Sequence, residues 1–301
     1  MKVIIAGGTG FVGRRLTRAL GKAGHEVVVL SRSASLPPEG AARVVAWSGP
    51  WRDELEDAGA VVNLAGAGIA DRRWTAERKE EIRESRVAAT RRLVEAMARS
   101  RRRPDVLVNA SAVGYYGDRG DERLAERAAA GAGFLTDVCS AWESEAARAE
   151  AAKVRVVLLR FGVVLGSEGG ALPRMLVPFR LGLGGRLGSG RQYMSWIHVE
   201  DAVGLARMAL ERRETRGPLN VVAPGPQTNA AFSRALASVL GRPCFLTAPA
   251  FALRLVLGEM SEMLLASQRV EPAAALAAGY DFRFPDLAPA LRDLVSSGAS
   301  G

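Results

Sequence analysis

Residues 6–16 read AGGTGFVGRRL and follow directly on the apolar run Val3-Ile4-Ile5. Glycine loses more backbone freedom on folding than any other residue, so a stretch this rich in it needs a reason. Gly7, Gly10 and Gly13 form a G-x-x-G-x-x-G pattern between a strand-like run and a helix-like segment, at the start of a β-α-β unit. In that context one glycine makes the tight turn, one lets a pyrophosphate approach the backbone, and one lets the helix pack close to the strand. The helix N-terminus adds free N–H groups and a positive dipole. A plain glycine-rich turn is the alternative; the strand before, the helix after and a second strand about 13 residues on decide for a dinucleotide site. Gly7, Thr9, Gly10, Phe11, Val12 and Gly13 are its expected residues.

The second strand ends VVVLSRS. A carboxylate there would bind a ribose 2′-hydroxyl and repel a 2′-phosphate. Ser31, Arg32 and Ser33 stand in its place, one guanidinium and two hydroxyls suited to a phosphate. NADP(H) is therefore expected over NAD, the alternative being an ordinary exposed loop arginine.

Outward from this loop, short β-branched runs alternate with helix-like stretches. The runs are Val3–Ala6, Glu26–Leu30, Val44–Trp47, Ala60–Ala65, Val106–Ala110 and Val154–Arg160. Between them lie Phe11–Ala23, a short stretch near Trp51–Asp57, Ala76–Arg103 and Phe134–Lys153. Near-continuous apolar strands separated by helices predict an α/β fold, a doubly wound parallel Rossmann sheet covered on both faces. After residue 165 glycines crowd into GSEGGALP (166–173) and LGLGGRLGSGR (181–191), and from Pro224 on proline-punctuated helices take over: Asn229–Leu240, Phe251–Ala266, Pro272–Ala278 and Pro289–Val295. The expected organisation is a dinucleotide-binding domain over 1–165, rejoined by the chain near 195–222, where Leu219–Val222 could add a strand. A smaller, mainly helical substrate-side portion would comprise 166–194 and 223–301.

Composition narrows the class. Of 301 residues 48% are apolar and 24% charged, the balance of a soluble globular protein. The longest apolar stretch, Ala250–Ala266, is broken by Arg254, Glu259 and Glu262, so no membrane partner is expected. Cys139 and Cys244 lie far apart without metal-ligand spacing, which predicts no metal, no disulfide framework and a cytoplasmic setting. The net charge of +9 is nearly all arginine interleaved with acids, as in ERKEEIRESR (77–86), a pattern of solvated helix faces. Charge alone gives only non-specific affinity, so no specific nucleic acid is expected. The expected partner is a small-molecule substrate, with a homodimer left open.

Further stretches fit the same fold. VVNLAGAGI (61–69) ends a strand in small residues, placing Leu64, Ala65 and Gly66 beside the cofactor, and VNASAVGYYG (108–117) brings hydroxyls to the sheet's carboxyl edge, where open α/β sheets bind ligands. Together with LRFGVVLG (159–166) and WIHVEDAV (196–203), these residues resemble the extended, epimerase-like branch of the short-chain dehydrogenase/reductase superfamily. The C-terminal QRVEPAAALAAGYDFRFPDLAPAL (268–291) resembles the terminal segment, of unknown function, of an atypical subgroup described only as "epimerase family protein". The resemblance covers nearly the whole chain and implies an NADP(H)-binding oxidoreductase or nucleotide-sugar-epimerase-like enzyme, with Arg160 counted among the cofactor residues.

That superfamily usually works through Tyr-x-x-x-Lys on one helical face, the ammonium lowering the phenol's pKa so that it exchanges protons. The matching helix here reads FLTDVCSAWESEA (134–146), with Cys139 in the tyrosine's place and Glu143 in the lysine's. The usual helper serine is displaced too: Ala112 takes its position and Ser111 is the neighbour. Cys139, Glu143, Tyr116 and Ser111 are the catalytic candidates, with Tyr115 nearby, and Glu143 is either the stronger base or the group that holds the nicotinamide ribose. The alternative is structural, with Cys139 a small buried hydrophobe and Glu143 a salt-bridged acid. His198 reads as an acid or base, or as a structural partner of Glu200 or Asp201. Arg186, Arg191 and Tyr193 in GLGGRLGSGRQYMSW (182–196) are candidate substrate contacts, a solvent loop being the alternative. The missing pair also leaves open a non-catalytic NADP(H)-binding sensor.

Overall fold

The computed structural model describes residues 1–32 and 36–297, so Ser33 lies outside the described residues. Seven parallel strands form the central sheet: β1 (Lys2–Ala6), β2 (Glu26–Ser31), β3 (Arg43–Ala46), β4 (Ala58–Asn63), β5 (Val106–Ala112), β6 (Arg155–Phe161) and β7 (Gly217–Val221). Their spatial order is β7-β6-β5-β4-β1-β2-β3. The order reverses between β1 and β4, so the strand ends around Ala6 and Asn63 flank the crevice that such folds use for ligands.

Period-two alternation explains the two cores. Val3, Ile5, Val27, Val29, Val62 and Val108 face one side, against Leu16 and Leu20 of helix α1 (Phe11–Lys22). Ile4, Ala6, Val28, Leu30, Val61 and Leu107 face the other, against α2 (Ala76–Arg99) and α3 (Phe134–Ala147). Both faces are buried, which is why the strands read as unbroken apolar runs.

Helix α4 (Leu172–Arg180) belongs to a smaller lobe, and α5 (Val199–Glu211) packs against α1 on the sheet. The lobe's core gathers Leu176 and Phe179 of α4, Phe232 and Leu236 of α6 (Asn229–Leu240), and Leu291 and Leu294 of the last helix, Leu287–Ser297. Short strand pairs stitch it to the sheet: Trp196–His198 runs parallel to Val163–Leu165, and Arg269–Val270 to Arg123–Leu124. Asp201 fastens the C-terminal segment, its carboxylate accepting from the N–H groups of Arg283 (2.8 Å) and Phe284 (2.9 Å).

Three helical expectations are corrected. The expected Ala76–Arg103 ends at Arg99, with Ser100 already extended and Pro104 ahead, so the Arg101–Arg103 run leaves the helix. Phe134–Lys153 gives way to a tighter turn over Arg148–Ala152. The single helix expected over Phe251–Ala266 is cut at Gly258, whose φ of +60° no helix accommodates, leaving Ala250–Leu257, a tight turn and Glu262–Leu265.

Candidate active site

The glycines of the opening loop divide by what their missing side chains would strike. Gly7 has φ +81°, and a Cβ on it would lie 2.7 Å from the Leu64 carbonyl oxygen. One on Gly13 would lie 2.1 Å from the Gly7 oxygen. These two are bare so that α1 and the end of β4 can close on the loop. A Cβ on Gly10 meets only the Gly7 oxygen, at 3.2 Å, and Gly10 is exposed. It stands at the N-cap of α1, which no side chain caps. The first turn therefore presents uncapped backbone N–H groups and the positive end of the helix dipole to open space, an anion cradle.

Phe11 and Val12 contribute backbone to that cradle while their side chains turn to protein. Val12 packs on the core. The Phe11 ring is seated on the glycine-rich segment after β6, where a Cβ on Gly166, Gly169 or Gly170 would come within 2.3, 2.5 or 2.9 Å of ring atoms. Thr9 accepts at its carbonyl from Arg14 (3.0 Å). The Leu64 N–H bonds to the Ala6 oxygen (2.8 Å) and the Ala65 N–H to Asn63 Oδ1 (3.2 Å), so Leu64, Ala65 and Gly66 run alongside the glycine loop. Ser31 is half-buried at the end of β2 and Arg32 is exposed just beyond it.

The acid-base position is built differently. Glu143, buried on α3, is gripped by Arg160 of β6 through two parallel bonds of 2.8 Å, from Nε to Oε1 and from Nη2 to Oε2. Ser111 Oγ donates to the same Oε1 at 2.6 Å. Arg160 also donates to the Tyr116 hydroxyl (3.0 Å) and the Glu126 carbonyl (3.1 Å), and its guanidinium lies 3.6 Å from the centre of the Tyr115 ring. The Tyr116 hydroxyl donates to Asn220 Oδ1 on β7 (2.7 Å). Burial would lower the Arg160 guanidinium, but the Glu143 carboxylate outweighs it and holds the group above its ordinary value. Burial pushes the Tyr116 phenol up.

Cys139 sits beside this cluster, 3% exposed. Burial first and the Glu143 charge second push its thiol up to about 11. A thiol so placed stays protonated at neutral pH and is inert as a base or nucleophile. Sequence reading set Arg160 with the cofactor and held Glu143 as either a base or a salt-bridged acid; the structure joins the two in one buried ion pair, 17 residues apart in sequence and on neighbouring elements.

Two features escaped the sequence reading. Asn63 and Asn109 pair across β4 and β5, and Asn63 Nδ2 donates to Asn109 Oδ1 (2.7 Å) and Thr90 Oγ1 (2.8 Å), which also receives the Trp142 indole N–H (2.9 Å). The matched VVN and LVN strand ends were the available clue. Arg86 of α2 donates to the Ala67 carbonyl (3.0 Å) and stands 5.2 Å from the Trp142 ring centre. Burial lowers its pKa, and among the described residues no acid pairs with it. It clamps the loop after β4, where a Cβ on Gly66 would lie 3.1 Å from its Cζ.

His198 is buried at the start of α5, where its Nδ1 accepts from the Glu200 N–H (3.1 Å) and its ring stacks on Phe284, a structural cap. Arg186 and Arg191 are exposed on the small lobe, Arg186 donating to Thr247 (3.0 Å). Tyr193 is half-buried beneath Arg269 (4.9 Å). None of the three bonds to the glycine loop or to the Glu143 cluster among the described residues.

The chain resembles known proteins over nearly its whole length. The sequence model of the NAD dependent epimerase/dehydratase family matches residues 3–222, and a domain of unknown function, DUF1731, matches residues 248–294. Epimerase family protein YfhF of Bacillus subtilis is 40% identical over 301 residues, covering 98% of both chains. The crystal structure of human epimerase family protein SDR39U1 (isoform 2) with NADPH superposes with a TM-score of 0.89 at 36% identity, over 98% of this chain and 99% of that one. A nucleoside-diphosphate sugar epimerase from Corynebacterium glutamicum gives 0.80 at 35% identity, over 99% of this chain and 58% of that longer one.

Proposed function

The chain belongs to the NAD dependent epimerase/dehydratase family, and on that premise we propose that it is an NADP(H)-binding, oxidoreductase- or epimerase-like enzyme for a small polar substrate. The carrying observation is the N-terminus of α1 at Gly10, exposed and capped by no side chain among the described residues, where an added Cβ would meet a single backbone oxygen, at 3.2 Å. The residues present fit the group. Backbone N–H groups of Phe11, Val12 and Gly13 would hold the pyrophosphate, Ser31 and Arg32 the 2′-phosphate, and Leu64–Gly66 would line the nicotinamide half. NADPH in the human relative supports the phosphorylated form, and the sugar epimerase relative supports a sugar-nucleotide-like substrate.

Bound NADP(H) supplies or accepts a hydride; the chain must supply the proton. Glu143, Ser111 and Tyr116 already spend their polar atoms on one another, and Cys139 holds its proton. Tyr115 is half-buried, and among the described residues no member of this network holds its hydroxyl, so we assign it the proton donor's role. The closed ion pair also favours a second reading, an NADP(H)-binding sensor without turnover. Two free cysteines support the cytoplasm as its compartment.

NADPH absorbance with carbonyl substrates, together with chromatography of sugar nucleotides incubated with NADP⁺ to detect an epimer, tests both readings in wild type and Tyr115→Phe. The expected result is turnover on a sugar-nucleotide-like substrate, lost in Tyr115→Phe, and a negligible rate on generic aldehydes and ketones. Turnover unchanged in the variant removes Tyr115 from the chemistry. Tight NADPH binding without turnover on any substrate replaces the enzyme reading by the sensor.

A further inference from the structure

The small lobe carries a surface that the cofactor site does not use. Residues 169–199 contain four arginines, Arg174, Arg180, Arg186 and Arg191, and no lysine, aspartate or glutamate. Residues 223–258 contain Arg234, Arg242 and Arg254 and again no lysine or acid. These seven arginines carry most of the net charge of +9, and the rest of the chain is close to balanced. All seven are exposed, and among the described residues Arg174 alone has an acid partner, Asp71 at 3.0 Å.

The fold brings the two stretches together. Gly185–Leu187 pairs in parallel with Leu246–Ala248, which sets Phe245 beside Gly184 and next to Leu183, and the Gly188 N–H bonds to the Ala248 carbonyl (2.8 Å). Large apolar side chains stand out among the arginines, from Val177 at 59% exposed through Leu183, Leu181, Phe245 and Phe251 to Leu255 at 77%. Helix Ala250–Leu257 buries none of its residues. Phe251, Arg254 and Leu255 lie at i, i+3 and i+4 and share one outward stripe. Scattered exposed apolar residues are ordinary; a run of them on adjoining elements, rimmed by one sign of charge, marks an interaction face.

We propose that this face docks on an anionic lipid surface, the apolar tips entering the headgroup boundary and the arginines meeting lipid phosphates. Uncompensated positive charge selects an anionic partner and disfavours a second copy of the chain, which would bring like charges together. Side chains this exposed project outward instead of lining a groove, the arrangement of interfacial insertion. No helix among the described residues is long and apolar enough to cross a membrane, so the attachment is peripheral. The proposal departs from the sequence expectation of no membrane partner, which rested on the lack of a spanning stretch.

The test is co-sedimentation of the full chain with vesicles of phosphatidylcholine alone or mixed with phosphatidylglycerol. Binding to the mixed vesicles only, weakened by salt, is expected. Arg180→Glu with Arg254→Glu should weaken it by about a hundredfold, and Leu255→Asp should abolish it, while NADPH binding stays as in wild type and shows that the fold is intact. No binding to anionic vesicles, equal binding to neutral ones, or binding that survives Leu255→Asp overturns the proposal. Capture by polyglutamate without vesicle binding also overturns it, and points to an acidic protein.

Discussion

At the β1–α1 end of the crevice, Gly10 leaves a helix terminus that no side chain caps among the described residues, and the groups on offer are backbone N–H donors. At the α3–β6 end, Glu143, Arg160, Ser111, Tyr116 and Asn220 bond to one another until little is left to offer. The first region is unfinished without a ligand; the second is complete without one. Residues in the places that this fold commonly gives to catalysis can thus be absorbed into structure while the binding half stays open. A buried ion pair of this kind is weak evidence for stability, but breaking it leaves an uncompensated buried charge.

The two ends differ most at the glycines. Gly10→Val should cost at least about a hundredfold in NADPH affinity, because a branched side chain fills the phosphate's approach, while the unfolding midpoint stays near wild type. Gly13→Ala should lower the unfolding midpoint as well as the affinity, since its Cβ meets backbone at 2.1 Å. Cofactor titration and thermal unfolding of both variants separate the two roles, and a midpoint that falls as far in Gly10→Val as in Gly13→Ala would erase the distinction. At the closed end, Glu143→Gln should destabilise the fold by about 3–5 kcal/mol, seen in denaturant unfolding, by stranding Arg160. A small loss of stability with a large loss of turnover would restore Glu143 as a base.

A smaller effect is set by pH. The Cys139 thiol is raised, so the folded state keeps a proton that the unfolded chain gives up first. Its contribution is fully present below the ordinary value of 9.0 and is lost as pH rises toward about 11, a change of about 2–3 kcal/mol. Thermal unfolding should fall across that window in wild type and be flatter in Cys139→Ala. Identical profiles would mean that the thiol is not held in the buried state. Smallest of all, Arg32→Ala should weaken NADPH by about 1.5–3 kcal/mol and leave NADH unchanged, as measured by titration of both.

The sheet was legible because strands buried on both faces must be apolar at every position, and Val27-Val28-Val29-Leu30 cannot be read otherwise. The glycine loop was legible because Gly7 and Gly13 obey a spacing that packing enforces. The Glu143–Arg160 pair was not, because charge partners on a helix and a later strand leave no periodic trace. Nor did the sequence disclose that Gly166, Gly169 and Gly170 seat the Phe11 ring. The helix break at Gly258 was masked by the apolar run on its N-terminal side.

The pairing of Arg123–Leu124 with Arg269–Val270 has a consequence during synthesis. Glu126, just beyond the first of these strands, accepts from the N–H groups of Asn220 and Ala274, both at 3.1 Å. The strands that carry the phosphate loop leave the ribosome early and can pair with close neighbours, whereas the strap over the Glu143 cluster waits for nearly half the chain to follow. That long closure costs entropy before any contact repays it. On a ribosome stalled before residue 269, the segment around Glu126 should therefore be open to protease while β1, β2 and β4 already resist it. Equal protection of both regions at that length would show that the cluster closes without its strap.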